Sequence, residues 1–175
     1  GTAFAIANND VWSRSAGVEN ITAVANSSAV TIDLDSTAET AGIVAVDLSA
    51  GTSTTGNIID VGEFTTAGVA MTGAATGATA LTGGAGVDTI IGGSLVDTII
   101  GAAGADVITP AAGNDILTYL LTADLFTSQA LVDSIVGATG DTDVISVGTS
   151  GTAFAIANND VWSRSAGVEN ITAVA

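Results

Sequence analysis

Residues 83–109 read GGAGVDTIIGGSLVDTIIGAAGADVIT and repeat with a period of nine residues. The stretch consists of three nonapeptides, and a fourth, PAAGNDILT, follows at residues 110–118. Each nonapeptide begins with small residues or Pro, has an aspartate at its sixth position and ends in a short β-favouring run. The aspartates are Asp88, Asp97, Asp106 and Asp115. A period of nine residues predicts short strands that are joined by tight, regularly spaced turns.

In a parallel β-roll two nonapeptides form one coil, so equivalent side chains stack every 18 residues. Asp88 would then lie over Asp106 on one edge, and Asp97 over Asp115 on the other. Stacked carboxylates repel one another unless a cation lies between them, and with the turn carbonyls they form an all-oxygen cage that suits Ca²⁺. The predicted calcium-binding positions are the four aspartates and the turn glycines Gly83, Gly84, Gly86, Gly92, Gly93, Gly101, Gly104 and Gly113.

The alternative is a metal-free β-solenoid in which the aspartates only accept hydrogen bonds from the turns. The preceding segment, AATGATALT at 74–82, keeps the phase but has Thr79 in place of an aspartate. Leu95 replaces an expected glycine, and Pro110 opens the fourth copy. These departures favour the edge with Asp88 and Asp106 as the better calcium site. A further site is predicted at Asp141 and Asp143, although the spacing there is irregular.

A much longer repeat indicates a tandem array. Residues 1–25 recur unchanged as residues 151–175, which gives an offset of 150 residues. We interpret 1–150 as one full unit; a domain with identical end caps is the alternative. The predicted divisions are a junction at 1–25, wider solenoid coils at 26–82, the nonapeptide roll at 83–118, a helix and closing strands at 119–150, and the start of the next identical unit at 151–175.

The remaining segments predict an all-β fold, a right-handed parallel β-solenoid or β-roll with short capping helices. Short β-type runs between 19 and 73 favour wider coils of the same solenoid, and a separate β-sandwich is the alternative. Near-helical spacing of apolar residues predicts a helix over part of 121–136. Asn or Asp before Val-Trp-Ser-Arg predicts a short helix within 7–20 and in its copy at 157–170. Five acidic residues that lack a repeat are expected on solvated faces: Asp33, Asp35, Asp47, Asp60 and Glu63.

Composition excludes several functions. The chain has 18 acidic residues against two arginines, no lysine and a net charge of −16, so neither nucleic acid nor an anionic membrane surface is an expected partner. There is no apolar run long enough for membrane insertion. Without histidine or cysteine there is no Ser-His-Asp triad and no thiolate nucleophile. No enzymatic activity is therefore predicted.

The nonapeptides at 83–118 resemble the RTX (repeats-in-toxin) family. The wider arrangement, with GVENI at 17–21 and DTDVISV at 141–147, resembles the large repetitive S-layer and adhesin-like proteins of bacteria. The resemblance implies calcium-dependent folding after type I secretion and a place outside the cell or at its surface. It also implies that Asp88, Asp97, Asp106 and Asp115 are the calcium carboxylates.

The leading functional hypothesis is a structural one, a calcium-stabilised tandem repeat of an extracellular filament, surface layer or stalk. Its expected partner is the chain itself, through adjacent units and lateral self-association. The runner-up is an adhesin or binding module for surface glycan or ice, suggested by Thr66, Thr72 and Thr82. An RTX-bearing enzyme ranks third, because the chain contains neither HExxH nor GxSxG.

Overall fold

A computed structural model describes the backbone of most of the chain. The described residues are 4–6, 19–23, 28–54, 56–127, 130–138, 141–148, 165–166 and 168–173. They form short strands and two short helices. The strands are β1 (Phe4–Ile6), β2 (Asn20–Thr22), β3 (Val30–Asp33), β4 (Ala45–Asp47), β5 (Asn57–Asp60), β6 (Ala70–Thr72), β7 (Thr79–Thr82), β8 (Thr89–Ile91), β9 (Thr98–Ile100), β10 (Val107–Ala111), β11 (Ile116–Tyr119), β12 (Phe126–Thr127), β13 (Ala130–Leu131), β14 (Ser134–Gly137), β15 (Asp143–Val147), β16 (Ser165–Ala166) and β17 (Val168–Ala173), and the helices are α1 (Ser36–Ala41) and α2 (Thr122–Leu125).

The strands form two parallel sheets, and the chain alternates between them. One sheet has eight strands in the order β1-β3-β5-β7-β9-β11-β15-β17. The other has seven strands in the order β16-β14-β10-β8-β6-β4-β2. The pairings described within both sheets are parallel, and β12 and β13 form a separate antiparallel pair. The predicted all-β parallel solenoid is therefore confirmed, and the β-sandwich alternative is wrong.

The core is a pair of apolar columns, one on the inner face of each sheet. In-register pairing places one large apolar side chain of each strand directly beside that of the next coil, for example Ile90 beside Ile108. The eight-stranded sheet contributes Ile32, Ile59, Leu81, Ile99, Leu117 and Ile145, and the seven-stranded sheet contributes Val46, Met71, Ile90, Ile108 and Ile135, each at most 1 % exposed. This thin core holds the turns at both edges in fixed register.

Helix α1 was not predicted from the sequence, and it gives two acidic residues structural roles. The Asp35 side chain caps the helix by accepting hydrogen bonds from the backbone N–H groups of Thr37 and Ala38. Glu39 accepts from the backbone N–H groups of residues 65–67, which lowers its pKa to about 2. The helix ends at Gly42, whose φ of 93° is left-handed. Asp35 is therefore a capping residue rather than part of a purely solvated face.

The other four acidic residues that were expected on solvated faces, Asp33, Asp47, Asp60 and Glu63, are partly or fully exposed. Asp47 and Asp60 each accept a hydrogen bond from the backbone N–H group two residues later. Asp33 lies in register with Asp60, and burial together with the charges of Asp60 and Asp35 raises its pKa. Glu63 is exposed. These side chains lie on turns and on the outer sheet face, away from the core.

The helix predicted over part of 121–136 is present, but it is short. Among the described residues of this segment only Thr122–Leu125 is helical; the chain then forms the β12–β13 pair and joins the seven-stranded sheet as β14. Leu125 and Ile135 are both buried, but one belongs to the helix and the other to a strand. The apolar spacing that predicts one helix comes from two different elements.

The helix predicted within 7–20, with Trp12 and Arg14, lies largely outside the described residues. Where its copy at 157–170 is described, at Ser165–Ala166 and from Val168 onward, the backbone is a strand. In the described part of the chain no helix is long and apolar enough to cross a membrane.

Candidate metal centre

Six aspartates are completely buried in a chain that has almost no basic side chains. Each lies at the end of a turn, immediately before a strand or at its first residue. They are Asp88, Asp97, Asp106, Asp115, Asp133 and Asp143, all 0 % exposed. The two arginines of the sequence, Arg14 and Arg164, lie outside the described residues. A buried carboxylate without a cationic partner is strongly unfavourable, so each of these needs compensation.

The first compensation is a backbone hydrogen bond that links each aspartate to the coil before it. On one edge the Oδ1 atoms of Asp88, Asp106 and Asp133 accept hydrogen bonds from the backbone N–H groups of Val69, Asp88 and Asp106, at 2.7, 2.8 and 2.9 Å respectively. We call this series the Asp88 ladder. Each rung fixes one carboxylate against the peptide of its neighbour and leaves its second oxygen, Oδ2, for other partners.

The opposite edge has an equivalent series, which we call the Asp97 ladder. The Oδ1 atoms of Asp97, Asp115 and Asp143 accept from the backbone N–H groups of Thr79, Asp97 and Asp115, at 2.6, 2.8 and 3.0 Å. Upstream, the same strand position is occupied by two neutral residues, Asn57 and Thr79, which pair in register. Asn57 Oδ1 accepts from the backbone N–H of Val30 at 3.1 Å. Neutral side chains therefore occupy this edge in the early coils, where Asn57 accepts a backbone N–H group, whereas carboxylates accept the equivalent N–H groups in the later coils.

Asp133, which the nine-residue period does not predict, is the third rung of the Asp88 ladder. Its separation from Asp106 is 27 residues instead of 18, because α2 and the β12–β13 pair are inserted between the two coils. A local signal was present: VDSI at 132–135 resembles VDTI at 87–90 and 96–99. The hydroxyl of Tyr119 donates a hydrogen bond to Asp133 Oδ2 at 2.7 Å.

Asp141 and Asp143, the irregular pair in the sequence, have different positions. Asp143 is the third rung of the Asp97 ladder. Asp141 Oδ2 accepts from the backbone N–H of Gly113 at 3.2 Å, and its Oδ1 is buried without a hydrogen-bond partner. The structure thus brings both residues to the turn that follows Pro110.

The four nonapeptide turns divide into two states according to the Oδ2 atom of the aspartate. In the turns 83–88 and 92–97, the closed turns, Oδ2 accepts a hydrogen bond from the backbone N–H of Gly84 or Gly93 in the same turn. In the turns 101–106 and 110–115, the open turns, the Oδ2 atoms of Asp106 and Asp115 are buried and have no hydrogen-bond partner. The open turns therefore carry the greater unmet demand for a positive partner.

The residue at the second position of the turn explains the two states. A Cβ atom built on Gly84 would lie 2.7 Å from the carbonyl oxygen of Phe64, and one on Gly93 would contact the carbonyl oxygen of Ala74. Only glycine therefore fits the closed turn. The open turns have Ala102 and Ala111 at this position, with left-handed φ values of 65° and 73°. Alanine forces the turn open, and the aspartate loses the N–H group that would have paired with its Oδ2.

The turns also bring oxygen atoms of neighbouring coils together. A Cβ atom on Gly104 would lie 2.7 Å from Asp106 Oδ1 and would contact the carbonyl oxygen of Gly86 in the preceding coil. One on Gly92 would lie 2.7 Å from Asp97 Oδ2 and contact the carbonyl oxygen of Pro110. Carboxylate and carbonyl oxygens converge in this way over Gly83, Gly92, Gly104 and Gly113 and, less closely, over Gly93.

This donor set fits Ca²⁺. Among the described residues no three acidic side chains meet at one point, so carbonyl oxygens would have to complete any coordination shell. A mixture of carboxylate and carbonyl oxygens is what calcium takes, whereas Mg²⁺ requires a small, near-ideal octahedron. The residues that would hold the ion are the ladder aspartates together with the carbonyl groups of the turns.

Burial dominates the electrostatics of the open turns. Desolvation, reinforced by the charges of Asp133 and Asp88, raises the pKa of Asp106 to about 7. Burial, with the charges of Asp97, Asp143 and Asp141, raises the pKa of Asp115 to about 6. Burial also raises the pKa values of Asp88 and Asp97, against the effect of their backbone hydrogen bonds. A divalent cation would reverse this balance and keep the carboxylates ionised.

Comparison with known families agrees with this chemistry. Residues 82–117 match the family model of the RTX calcium-binding nonapeptide repeat (4 copies), which covers about a fifth of the chain. These repeats bind Ca²⁺, and Ca²⁺ is therefore the metal of the matched turns. The matched residues end before Asp133 and Asp143, the third rungs of the ladders. Searches of curated proteins and of solved structures return no match.

Proposed function

We propose that the chain is a structural repeat unit that Ca²⁺ locks into a rigid parallel solenoid, and that tandem arrays of it form an extracellular filament, surface layer or stalk. The observation that carries the proposal is the pair of aspartate ladders that run along both edges of the solenoid. The RTX repeat is a structural calcium-binding motif rather than a catalytic one, so we assign the unit no enzymatic role.

Calcium couples directly to folding in this arrangement. The oxygens that converge over Gly92 and Gly104 come from different coils, so each site exists only once the coils have stacked. Binding energy at such a site becomes folding energy. At a free calcium concentration of about 100 times the dissociation constant, each site would add about 2.7 kcal/mol. Two such sites would rival the whole net stability of a small domain.

The second copy of the 25-residue segment supports an array. Its strand β17 pairs with β15 in parallel register, with Ile171 opposite Ile145. The opening segment of a unit therefore continues the sheet of the unit before it. A solenoid that extends in this way has no natural limit to its length, and a filament or stalk requires that property.

Export agrees with the calcium requirement. RTX repeats are typical of proteins that leave the cell by type I secretion, and we propose that this unit acts outside the cell or at its surface. Extracellular calcium modules work with dissociation constants of about 10⁻⁴–10⁻³ M. A unit tuned to this range would stay loosely folded inside the cell and become rigid outside.

The threonines that suggest an ice- or glycan-binding face do not form one surface. Thr72 belongs to β6 in the seven-stranded sheet, and Thr82 belongs to β7 in the eight-stranded sheet. Thr66 lies in a loop, where its backbone N–H and its hydroxyl both donate to Glu39. This scatter favours the structural role over the binding module.

Circular dichroism of the 175-residue chain, titrated with Ca²⁺ and then with EDTA, tests the calcium part of the proposal. We expect Ca²⁺ to increase β-structure cooperatively and EDTA to reverse the change. The double variant Asp88→Ala/Asp106→Ala should lose much of this response. The matched control, Asp47→Ala/Asp60→Ala, removes two acidic residues outside the ladders and should keep it. A spectrum that Ca²⁺ leaves unchanged contradicts the proposal.

Electron microscopy tests the array. Chains of one, two and four consecutive units should give rods whose length grows in proportion to the number of units. Separate beads on a flexible string would contradict the continuous solenoid.

A further inference from the structure

We propose that each 150-residue unit contains six and a half coils. Equivalent residues of consecutive units in an array therefore lie on opposite sides of the solenoid. The proposal rests on the tandem array proposed above and concerns how its units are oriented. The observation behind it is that one sequence occupies different sheets at the two ends of the chain.

The segment Asn-Ile-Thr occurs once near each end. Asn20–Thr22 forms β2, which pairs with β4 at one end of the seven-stranded sheet. The identical tripeptide at residues 170–172 lies in β17, which pairs with β15 at the far end of the eight-stranded sheet. Equivalent residues of two consecutive units thus lie on opposite sides of the solenoid.

The path of the chain between the two copies explains this exchange. From β2 onward the strands alternate strictly between the two sheets, except for the β12–β13 pair, which belongs to neither. Counted over the described strands, the chain takes thirteen steps from one sheet to the other between β2 and β17. Because this number is odd, β17 must lie in the sheet that β2 does not occupy.

The register shows that both copies join the solenoid in the same phase. Ile21 lies opposite Val46, and Ile171 lies opposite Ile145. Val46 and Ile145 are both fully buried residues of the apolar columns. The second copy therefore adds a strand in which the same residue is the register partner of a core residue, but on the other sheet.

The ladders exchange edges from one unit to the next for the same reason. The aspartates of the Asp88 ladder precede strands of the seven-stranded sheet, and those of the Asp97 ladder precede or begin strands of the eight-stranded sheet. In the next unit these relations are reversed. Each edge of an array would alternate between the two kinds of ladder, with a true repeat of two units.

A two-sided filament follows from this alternation. With strands about 4.8 Å apart, six and a half coils advance the axis by about 31 Å, accompanied by a half-turn. Any surface that a unit presents on one side then recurs on the other side one unit later.

Disulfide trapping in the 175-residue chain tests the odd number of half-coils, and the chain has no cysteine of its own. Residues in register on neighbouring parallel strands share a face of the sheet, at a separation that a disulfide can span. We expect Val144→Cys/Asn170→Cys to form an intrachain disulfide under mild oxidation, since these positions are register partners. An even number of half-coils would instead place residue 170 beside Ser134 of the seven-stranded sheet.

The matched variants are therefore Ser134→Cys/Asn170→Cys, which should stay reduced, and the positive control Val107→Cys/Ser134→Cys, whose positions are partners between β10 and β14. Mass spectrometry of the oxidised, alkylated chains counts the disulfides. Trapping of residue 170 by residue 134, or failure of the 144/170 pair while the control pair forms, overturns the proposal. The result does not depend on whether arrays exist, so it separates failure of this inference from failure of the proposed function.

Discussion

The closed turns and the open turns share one sequence motif but leave their aspartates in opposite situations. The closed turns at 83–88 and 92–97 are closer to the repeat consensus, and both carboxylate oxygens of each aspartate accept backbone N–H groups. The open turns at 101–106 and 110–115 depart further from it, and each leaves one buried oxygen without a partner. Demand for calcium therefore depends on which hydrogen bonds a turn can make for itself, rather than on closeness to the consensus.

The largest expected difference between the open and the closed turns is the change in the free energy of unfolding when the aspartates of each pair of turns lose their charge. Asp106→Asn/Asp115→Asn takes two unpartnered, buried charges out of the open turns. We expect the free energy of unfolding in EDTA to rise or stay constant, while the gain produced by Ca²⁺ falls by about 5 kcal/mol for two lost sites. Urea denaturation in EDTA and in saturating Ca²⁺ measures both quantities.

Asp88→Asn/Asp97→Asn is the matched pair in the closed turns. Here both carboxylate oxygens of each aspartate already accept a backbone N–H group. Asparagine replaces one of these oxygens by an NH₂ group, which then faces a backbone N–H donor. We expect a loss of about 1–3 kcal/mol per site in EDTA. Equal behaviour of the two double variants in EDTA would remove the distinction between open and closed turns.

The free energy of unfolding should depend on pH in opposite ways in metal-free and calcium-bound protein, and the difference should reach a few kcal/mol. Burial raises the pKa of Asp106 to about 7, above an unfolded value of about 4. A raised pKa favours the folded state when the group is protonated, so this contribution is complete below about pH 4 and is lost as the pH rises through 7. In EDTA the free energy of unfolding should therefore increase as the pH is lowered from 8 to 5.

In saturating Ca²⁺ the slope should have the opposite sign, because protons compete with the ion for the same oxygens. Glu39, whose pKa is lowered to about 2, stays ionised throughout this window and does not contribute to either slope. Denaturation at pH 5, 6, 7 and 8 gives both curves, and Asp106→Asn/Asp115→Asn should flatten them. Parallel slopes with and without calcium would contradict the assignment of the ion to these carboxylates.

A smaller effect should follow from converting a closed turn into an open one. In Gly84→Ala and Gly93→Ala the new Cβ atom meets a carbonyl oxygen of the preceding coil, so the turn must open as it does at Ala102. We expect losses of about 1–3 kcal/mol in EDTA and partial recovery in Ca²⁺, since the freed Oδ2 becomes available to the ion. Equal loss in both conditions would show that the turn is damaged without being opened.

The sequence predicts the periodic part of this molecule well and the irregular part poorly. Asp88 and Asp106, like Asp97 and Asp115, were expected to be neighbours because a fixed nine-residue period determines the stacking, and the structure places them so. The period does not predict Asp133, because an inserted helix and strand pair changes its spacing, although its Oδ1 atom accepts the same kind of backbone hydrogen bond as the other rungs. The nine-residue period predicts where an aspartate lies only as long as successive coils have the same number of residues.

Helix α1 shows a second limit. Its N-cap Asp35 is a recognisable local signal, but the contacts that hold the helix come from residues 65–67, one coil further along the axis. The two states of the turns were likewise invisible in the sequence. Glycine at the second position is required by a carbonyl group of the preceding coil, and no local pattern contains that contact.

The smallest expected effect comes from the reverse change, Ala102→Gly/Ala111→Gly. Left-handed alanine costs about 1–2 kcal/mol, and glycine removes this strain while it adds some flexibility to the unfolded chain. Glycine also allows the turn to close, so that the Oδ2 atoms of Asp106 and Asp115 gain N–H partners. We expect a net gain of about 1 kcal/mol in EDTA and a smaller increment from Ca²⁺, measured by urea denaturation under both conditions.

The control for that change is Ala103→Gly, an exposed alanine in the same turn that does not have a left-handed backbone. There glycine removes no strain and only adds freedom to the unfolded chain, so a loss of about 0.5–1 kcal/mol is expected with or without Ca²⁺. Opposite signs at residues 102 and 103 would show that backbone conformation at one position sets the calcium demand of a turn. A loss at both positions would mean that the open turns are not strained, and steric exclusion of alanine could no longer explain why they differ from the closed ones.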